Sequence, residues 1–177
     1  LEFRRVLFRS NPEKAGTYAT YAKQLSNHNV DYDVFASSYY PFWHGTTENL
    51  TSVLKNVAST YKKDVMVAET SWAYTLDDGD DDSNTVPSKV TANNLKKYDI
   101  SPQGQADEIR AVAEAVNNIG DNDGDGKNDG LGVFYWEPAW VPVGTGGKDN
   151  AELVDTWNKY GGGWATEAAG EYRSEEH

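Results

Sequence analysis

The stretch VMVAETSWAYT, residues 65–75, decides how this chain is read. Val65, Met66, Val67 and Ala68 have strand character, and they run straight into Glu69 and then into small polar and aromatic residues. A short apolar run of this kind suits a strand buried in a parallel sheet. Its ending in a carboxylate has two explanations. Either the strand simply runs out into solvent, or Glu69 is held at the carboxyl end of the sheet, where α/β folds gather their chemistry.

Upstream, Asn11-Pro12 reads as the N-cap and first position of a helix. Tyr18, Tyr21, Ala22 and Leu25 then recur at helical spacing until Asn27-His28-Asn29 breaks the pattern. VDYDVFASSYYPFW (30–43) alternates at its start, with Val30, Tyr32 and Val34 on one side, and predicts a strand that ends before Pro41. Gly45-Thr46-Thr47 opens a second helix with Leu50, Val53, Leu54, Val57 and Tyr61 on one face. Lys62 and Lys63 close it, where the helix dipole favours cations.

Downstream, 76–100 is polar and loop-like. Ser101-Pro102 starts a third helix with Ile109, Val112, Ala113 and Val116 aligned, and Gly120 is placed to end it. An Asp-rich turn, 121–130, leads into LGVFYWEPAW, an apolar strand. Asn150 onward predicts a last helix with Leu153, Val154, Trp157 and Tyr160, stopped by Gly161-Gly162-Gly163. Helices alternating with apolar strands imply α/β architecture, a parallel sheet with helices outside it. Three strands are too few for a closed (β/α)8 barrel, which needs roughly 250 residues. The sheet is therefore a small open one or a piece of something larger.

The 177 residues include 28 Asp and Glu against 16 Lys and Arg, a net charge of −12 and a pI near 4.6. That surface argues against nucleic acid and anionic membranes as partners. No apolar run is long enough to span a bilayer. Cysteine is absent, which removes disulfides and thiolate–metal chemistry. Six Trp, eleven Tyr and five Phe stand beside the acids. This mixture suits carbohydrate, because aromatic faces cover sugar C–H surfaces while carboxylates bind hydroxyls; it equally suits a large aromatic core. The ends differ from the rest. LEFRRVLFRS (1–10) is basic, and its Leu-Glu and Glu-Phe pairs are what cloning sites encode. It reads as vector or adapter sequence, and RSEEH (173–177) as a non-native tail, which leaves 11–172 as the domain.

Two carboxylates end strands, Glu69 and Glu137. Glycoside hydrolysis needs two acids flanking one bond; the alternative is that one or both orient neighbours by hydrogen bonds. Glu137 precedes Pro138, which restricts its backbone. His44, in YYPFWHG, is placed either to donate to a sugar hydroxyl or as an ordinary half-exposed loop histidine. Zinc spacing, G-x-S-x-G and phosphate-cradling glycine loops are all missing. In LDDGDDDSNT (76–85), Asp78, Asp80, Asp82 and Asn84 alternate as oxygen ligands do in the first half of an EF-hand loop. In DNDGDGKND, Asp121, Asp123, Asp125, Gly126 and Asp129 occupy EF-hand positions, but the twelfth is Gly132 where a bidentate Glu is expected. Ca2+ is the cation both loops would suit; solvated acidic turns are the rival.

In this order, DYDVFASSYYPFWHGT, VMVAETSWAYTLDDGDDDSNT, QGQADEIRAV and GLGVFYWEPAWVPVG resemble the endo-β-1,4-galactanases of glycoside hydrolase family 53. The likeness covers most of 11–172. It implies the C-terminal part, about strands six to eight, of a (β/α)8 barrel that hydrolyses β-1,4-galactan side chains of pectin with retention. The Glu of VAET is the family's nucleophile and maps onto Glu69. The acid/base Glu belongs to strand four, which has no counterpart here, so Glu137 is expected to be a pocket residue. Tyr39, Tyr40, His44 and Trp72 would line the substrate cleft, with Trp136 as a sugar platform. Asp78, Asp80, Asp82 and Asn84 match a calcium loop of bacterial members, although Asp82 stands where a histidine is found. The resemblance also implies secretion, a monomer at full length, and polysaccharide as the partner.

Overall fold

In the computed structural model, the described residues are 15–75, 97–136 and 159–160. They form α1 (Ala15–Asn27), β1 (Val34–Ser38), α2 (Pro41–His44), α3 (Thr47–Tyr61), β2 (Asp64–Thr70), α4 (Pro102–Asn117) and β3 (Gly130–Tyr135). The three strands make one parallel sheet in the order β1-β2-β3. A parallel neighbour needs a crossover of a dozen residues or more. Helix α3 supplies it between β1 and β2, and α4 between β2 and β3. The chain divides into two compact units, Leu1–Thr70 with Glu108–Tyr135, and Ser71–Asp107 with Trp136–His177.

In the first unit, the core is the layer between sheet and helices. Phe35, Val65 and Val67 of the strands pack with Tyr18 and Ala22 of α1, with Leu50, Leu54 and Val57 of α3, and with Val112, Ala115 and Val116 of α4. Two hydroxyls tie the helices together: Thr51 Oγ1 donates to the Ala115 carbonyl at 2.8 Å and Tyr61 OH to the Ala19 carbonyl at 3.3 Å.

Local chemistry explains the helix ends. Thr46 Oγ1 caps α3 by accepting the Asn49 N–H at 3.2 Å, and Ser101 Oγ accepts the Gly104 N–H at 3.0 Å at the start of α4. At the end of α1, Asn29 is left-handed (φ 49). Its N–H reaches the Ser26 carbonyl and the Val30 N–H the Leu25 carbonyl, both at 3.0 Å, a Schellman close with Asn in place of Gly.

Several expectations need correction. The strand predicted from 30 and ending before Pro41 is only Val34–Ser38, and its buried face is Phe35 and Ser37 rather than Val30, Tyr32 and Val34. The Schellman close uses up 29–30, and Pro41 opens the short helix α2 instead of only ending a strand. Tyr21 is 41% exposed, so the buried stripe of α1 is Tyr18 and Ala22. In α4, Ala113 is exposed and the inward stripe is Glu108, Val112, Ala115 and Val116, continued by Ile119. Lys62 and Lys63 reach beyond their helix, their Nζ atoms donating to the carbonyls of Asn122 (2.6 Å) and Tyr32 (2.5 Å). The N-terminal cap at Asn11-Pro12 and all of the predicted last helix except 159–160 lie outside the described residues.

Candidate active site

Strand β2 carries one more residue than its neighbours near its carboxyl end. Along β1, Ser37 faces Val67 but the next residue, Ser38, faces Glu69. Along β3, Val133 faces Val67 and Tyr135 faces Thr70, three steps against two. Side chains alternate along a strand, so an extra residue reverses the faces beyond it. Val65 and Val67 point into the helix layer; Glu69 would follow them there in an unbroken strand. The extra residue instead sends Thr70 into that layer, fully buried, and leaves Glu69 half-buried on the other side. A matching irregularity lies in β3, where Gly130 to Val133 spans Val65 to Val67. Gly132 there has φ +153, a conformation that L side chains rarely adopt.

The segment after β1 meets Glu69. Tyr40 OH donates to Glu69 Oε2 at 3.2 Å, and the Tyr39 N–H donates to the Glu69 carbonyl at 2.8 Å. His44 is buried, and its Nδ1 accepts the Tyr40 N–H at 2.8 Å, so its ring braces the turn that carries Tyr40. Tyr39 is buried as well, with its hydroxyl donated to the Gly45 carbonyl at 2.8 Å. Of the residues predicted to line a cleft from this segment, Tyr40 touches Glu69 with its side chain, while Tyr39 and His44 support the loop.

Thr70 and Glu108 are a pair that sequence reading missed. Thr70 Oγ1 donates to Glu108 Oε1 at 3.0 Å, both residues being fully buried. Glu108 Oε2 has no hydrogen-bond partner. The signal was present: Glu108 lies four residues before Val112 and eight before Val116, on the apolar face of α4. Burial pushes its carboxyl from an ordinary 4.5 up to about 8, against the smaller opposing pull of the Thr70 hydroxyl. A carboxyl whose folded-state pKa is raised helps stability below its unfolded pKa and loses that help as pH rises. Glu108→Gln is therefore expected to gain on the parent chain by about 1.4 kcal/mol per pH unit between 4.5 and about 8, then level off. Urea denaturation at a series of pH values across that window measures it.

In the second unit, Trp72 has no exposed surface. Its Nε1–H donates to the Asp99 carbonyl at 3.0 Å, its ring meets Tyr98 edge-on, and its carbonyl accepts from Gln105 Nε2 at 2.6 Å. These contacts are those of a packing residue. Trp136, directly after β3, is partly exposed. Glu137 and the loop residues Asp78, Asp80, Asp82 and Asn84 lie outside the described residues.

The Asp-rich turn 121–130 lies at the amino ends of β2 and β3: the Val65 N–H donates to the Asp129 carbonyl at 2.8 Å, and Gly130 opens β3. Asp121, Asp123 and Asp129 each offer an oxygen within 4.8 Å of the others. Asp125 turns away to Lys127 Nζ at 3.1 Å, and hydrogen bonds from Lys127, backbone first, hold its carboxyl below the usual range. Gly126, at φ +87, allows the sharp turn that an EF-hand loop needs at its sixth position. Asp64, at the start of β2, is pushed up by burial and then by the charges of Asp129, Asp123 and Asp125. Three carboxylates converge here, and Asp64 feels the charge of Asp129 and Asp123 among them.

Comparison with known proteins then adds what geometry cannot. Residues 3–174 match the glycosyl hydrolase family 53. The chain is 55% identical over 167 residues to an endo-beta-1,4-galactanase of Bacillus subtilis (strain 168), covering 94% of this chain and 36% of that one. It is 34% identical over 137 residues to an arabinogalactan endo-beta-1,4-galactanase of Cellvibrio japonicus, covering 77% and 33%. Among solved structures, the GH53 catalytic domain of Ignisphaera aggregans matches with a TM-score of 0.65 at 34% identity, over 78% of this chain and 37% of that one. The chain thus spans about a third of the length of these relatives.

Proposed function

The chain belongs to glycosyl hydrolase family 53, and from there we propose that it provides the nucleophile half of a retaining endo-β-1,4-galactanase, with Glu69 as nucleophile. Its parallel strands and crossover helices are part of a (β/α)8 barrel, here assigned to strands six to eight. In this reading, Glu69 attacks the anomeric carbon of a galactan chain as the glycosidic bond breaks, forming a glycosyl-enzyme. A second carboxyl, about 5–5.5 Å away in retaining enzymes, protonates the leaving oxygen and then takes a proton from the water that frees the sugar. That second group is assigned to a part of the barrel this chain does not supply. The Tyr40 hydroxyl donates to Glu69 Oε2 at 3.2 Å and so aims it.

The observation that carries the reading is the extra residue in β2, which turns Glu69 out of the helix layer at the carboxyl end of a parallel sheet. The relatives' names support β-1,4-galactan as the substrate; its source in pectin side chains outside the cell is part of the proposal. The test is product analysis on a panel of β-1,4-galactan, xylan, mannan and β-glucan, using a full-length chain that carries this segment. Release of galacto-oligosaccharides alone supports the reading; cleavage of another backbone in preference to galactan overturns it.

Calcium belongs to the same proposal. The convergence of Asp121, Asp123 and Asp129 fits a hard oxygen-seeking cation at the amino-terminal face, where it would hold the turn and relieve repulsion on Asp64. The loop at Asp78, Asp80, Asp82 and Asn84, which follows the nucleophile strand, is assigned a second ion that shapes the cleft. Addition of Ca2+ at a hundredfold excess over Kd is expected to stabilise the protein by about 2.7 kcal/mol per site. Asp121→Ala with Asp123→Ala should lower the melting shift and leave kinetics alone, whereas Asp78→Ala with Asp80→Ala should disturb both. An unchanged melting shift in both variants would make these loops solvated acid.

A further inference from the structure

Glu108 is the acid with no exposed surface among the described residues, and the mechanism above does not use it. On α4 it shares the buried face with Val112 and Val116, which belong to the apolar layer. A carboxyl buried among such residues is costly, and one hydrogen bond offsets only part of that cost. An apolar side chain at this position would satisfy packing at less expense. The partner it does have is informative: Thr70, the residue that follows Glu69 and the one that the extra residue of β2 turns into the helix layer.

We propose that Glu108 is a positioning residue, which by gripping Thr70 locks the irregularity of β2 and so fixes the direction in which Glu69 leaves the strand. This inference rests on the reading of Glu69 as nucleophile. The physical argument has two parts. First, a strand with an extra residue competes with the regular strand one step away, and a one-residue slip exchanges the faces of every residue beyond it. In the slipped strand Glu69 takes the place of Thr70 and meets Glu108 in the apolar layer. That slip would bury a second carboxyl in the apolar layer, a desolvation cost that the Thr70 hydroxyl does not carry. Glu108 therefore favours the working register by holding Thr70. Second, because burial keeps Glu108 protonated at neutral pH, it anchors the strand without placing a second negative charge beside the nucleophile.

The test uses a full-length chain carrying this segment, with initial rates on β-1,4-galactan measured well below each variant's melting temperature. Thr70→Val and Glu108→Leu keep the approximate volume and remove the bond. Each is expected to lower kcat by about 10- to 100-fold through misplacement of Glu69, with KM within about twofold of the parent. The double variant should be no worse than the weaker single, because both act on one contact. Thr70→Ser and Glu108→Gln, which keep a hydroxyl donor and an accepting oxygen, should restore most of kcat. Glu69→Gln serves as control. If it kills turnover while Thr70→Val leaves kcat intact, or if the losses in the two single variants add, the positioning role is wrong and the nucleophile assignment stands. If Glu69→Gln itself retains turnover, the functional reading fails. Should Glu108→Leu not fold, Thr70→Val alone decides.

Discussion

Glu69→Gln, made in a full-length chain carrying this segment, is expected to lower kcat on β-1,4-galactan by about 10³–10⁶-fold, with KM little changed. The amide has the shape of the carboxylate and can keep the Tyr40 hydroxyl as a hydrogen-bond partner, so the cleft survives. What is lost is the nucleophile: an amide oxygen does not form a stable glycosyl ester. The parent enzyme, treated with an activated fluorinated galactoside, should carry the label on the peptide containing Glu69, and the variant should carry none. Near-normal turnover in the variant, or a label elsewhere, would remove Glu69 from the mechanism. Because the strand irregularity rather than the Glu69 side chain sets the register, the variant should also melt close to the parent temperature.

The 177-residue chain by itself is expected to release no measurable oligosaccharide from galactan. Retaining hydrolysis divides the work between two carboxyls, and one of the pair is assigned here. The sheet is also open among the described residues. Strands β1 and β3 are its outer members, and on β3 Leu131 is 52% and Phe134 62% exposed. Unpaired strand edges with exposed apolar residues favour association with other chains. Sedimentation of the isolated chain should accordingly show self-association. Robust hydrolysis by the isolated, purified chain would overturn the division of the catalytic pair and promote Glu137 to acid/base.

Patterns that are local in the chain were legible without coordinates. The alternation of helix and strand, the cap at Thr46, Ser101-Pro102 at the start of α4 and Gly120 at its end follow from backbone hydrogen-bonding needs that neighbouring residues satisfy. The run VMVAE announced a strand leading into a carboxylate by its short apolar composition. The motif order even carried the family, because residues that make chemistry sit in short, characteristic strings. What sequence could not settle was direction. Alternation along β2 places Glu69 on the same side as Val65 and Val67, and only pairing with two neighbouring strands accommodates the extra residue that turns it away. The partner of Glu108 was hidden likewise: its place on the apolar face of α4 is readable along the helix, but its hydrogen bond depends on where Thr70 arrives from a strand 38 positions earlier. Composition and spacing determined which residues this protein has for chemistry. Tertiary structure decided which way they point, because the face a strand residue occupies is a property of register, and register belongs to the sheet rather than to any one strand.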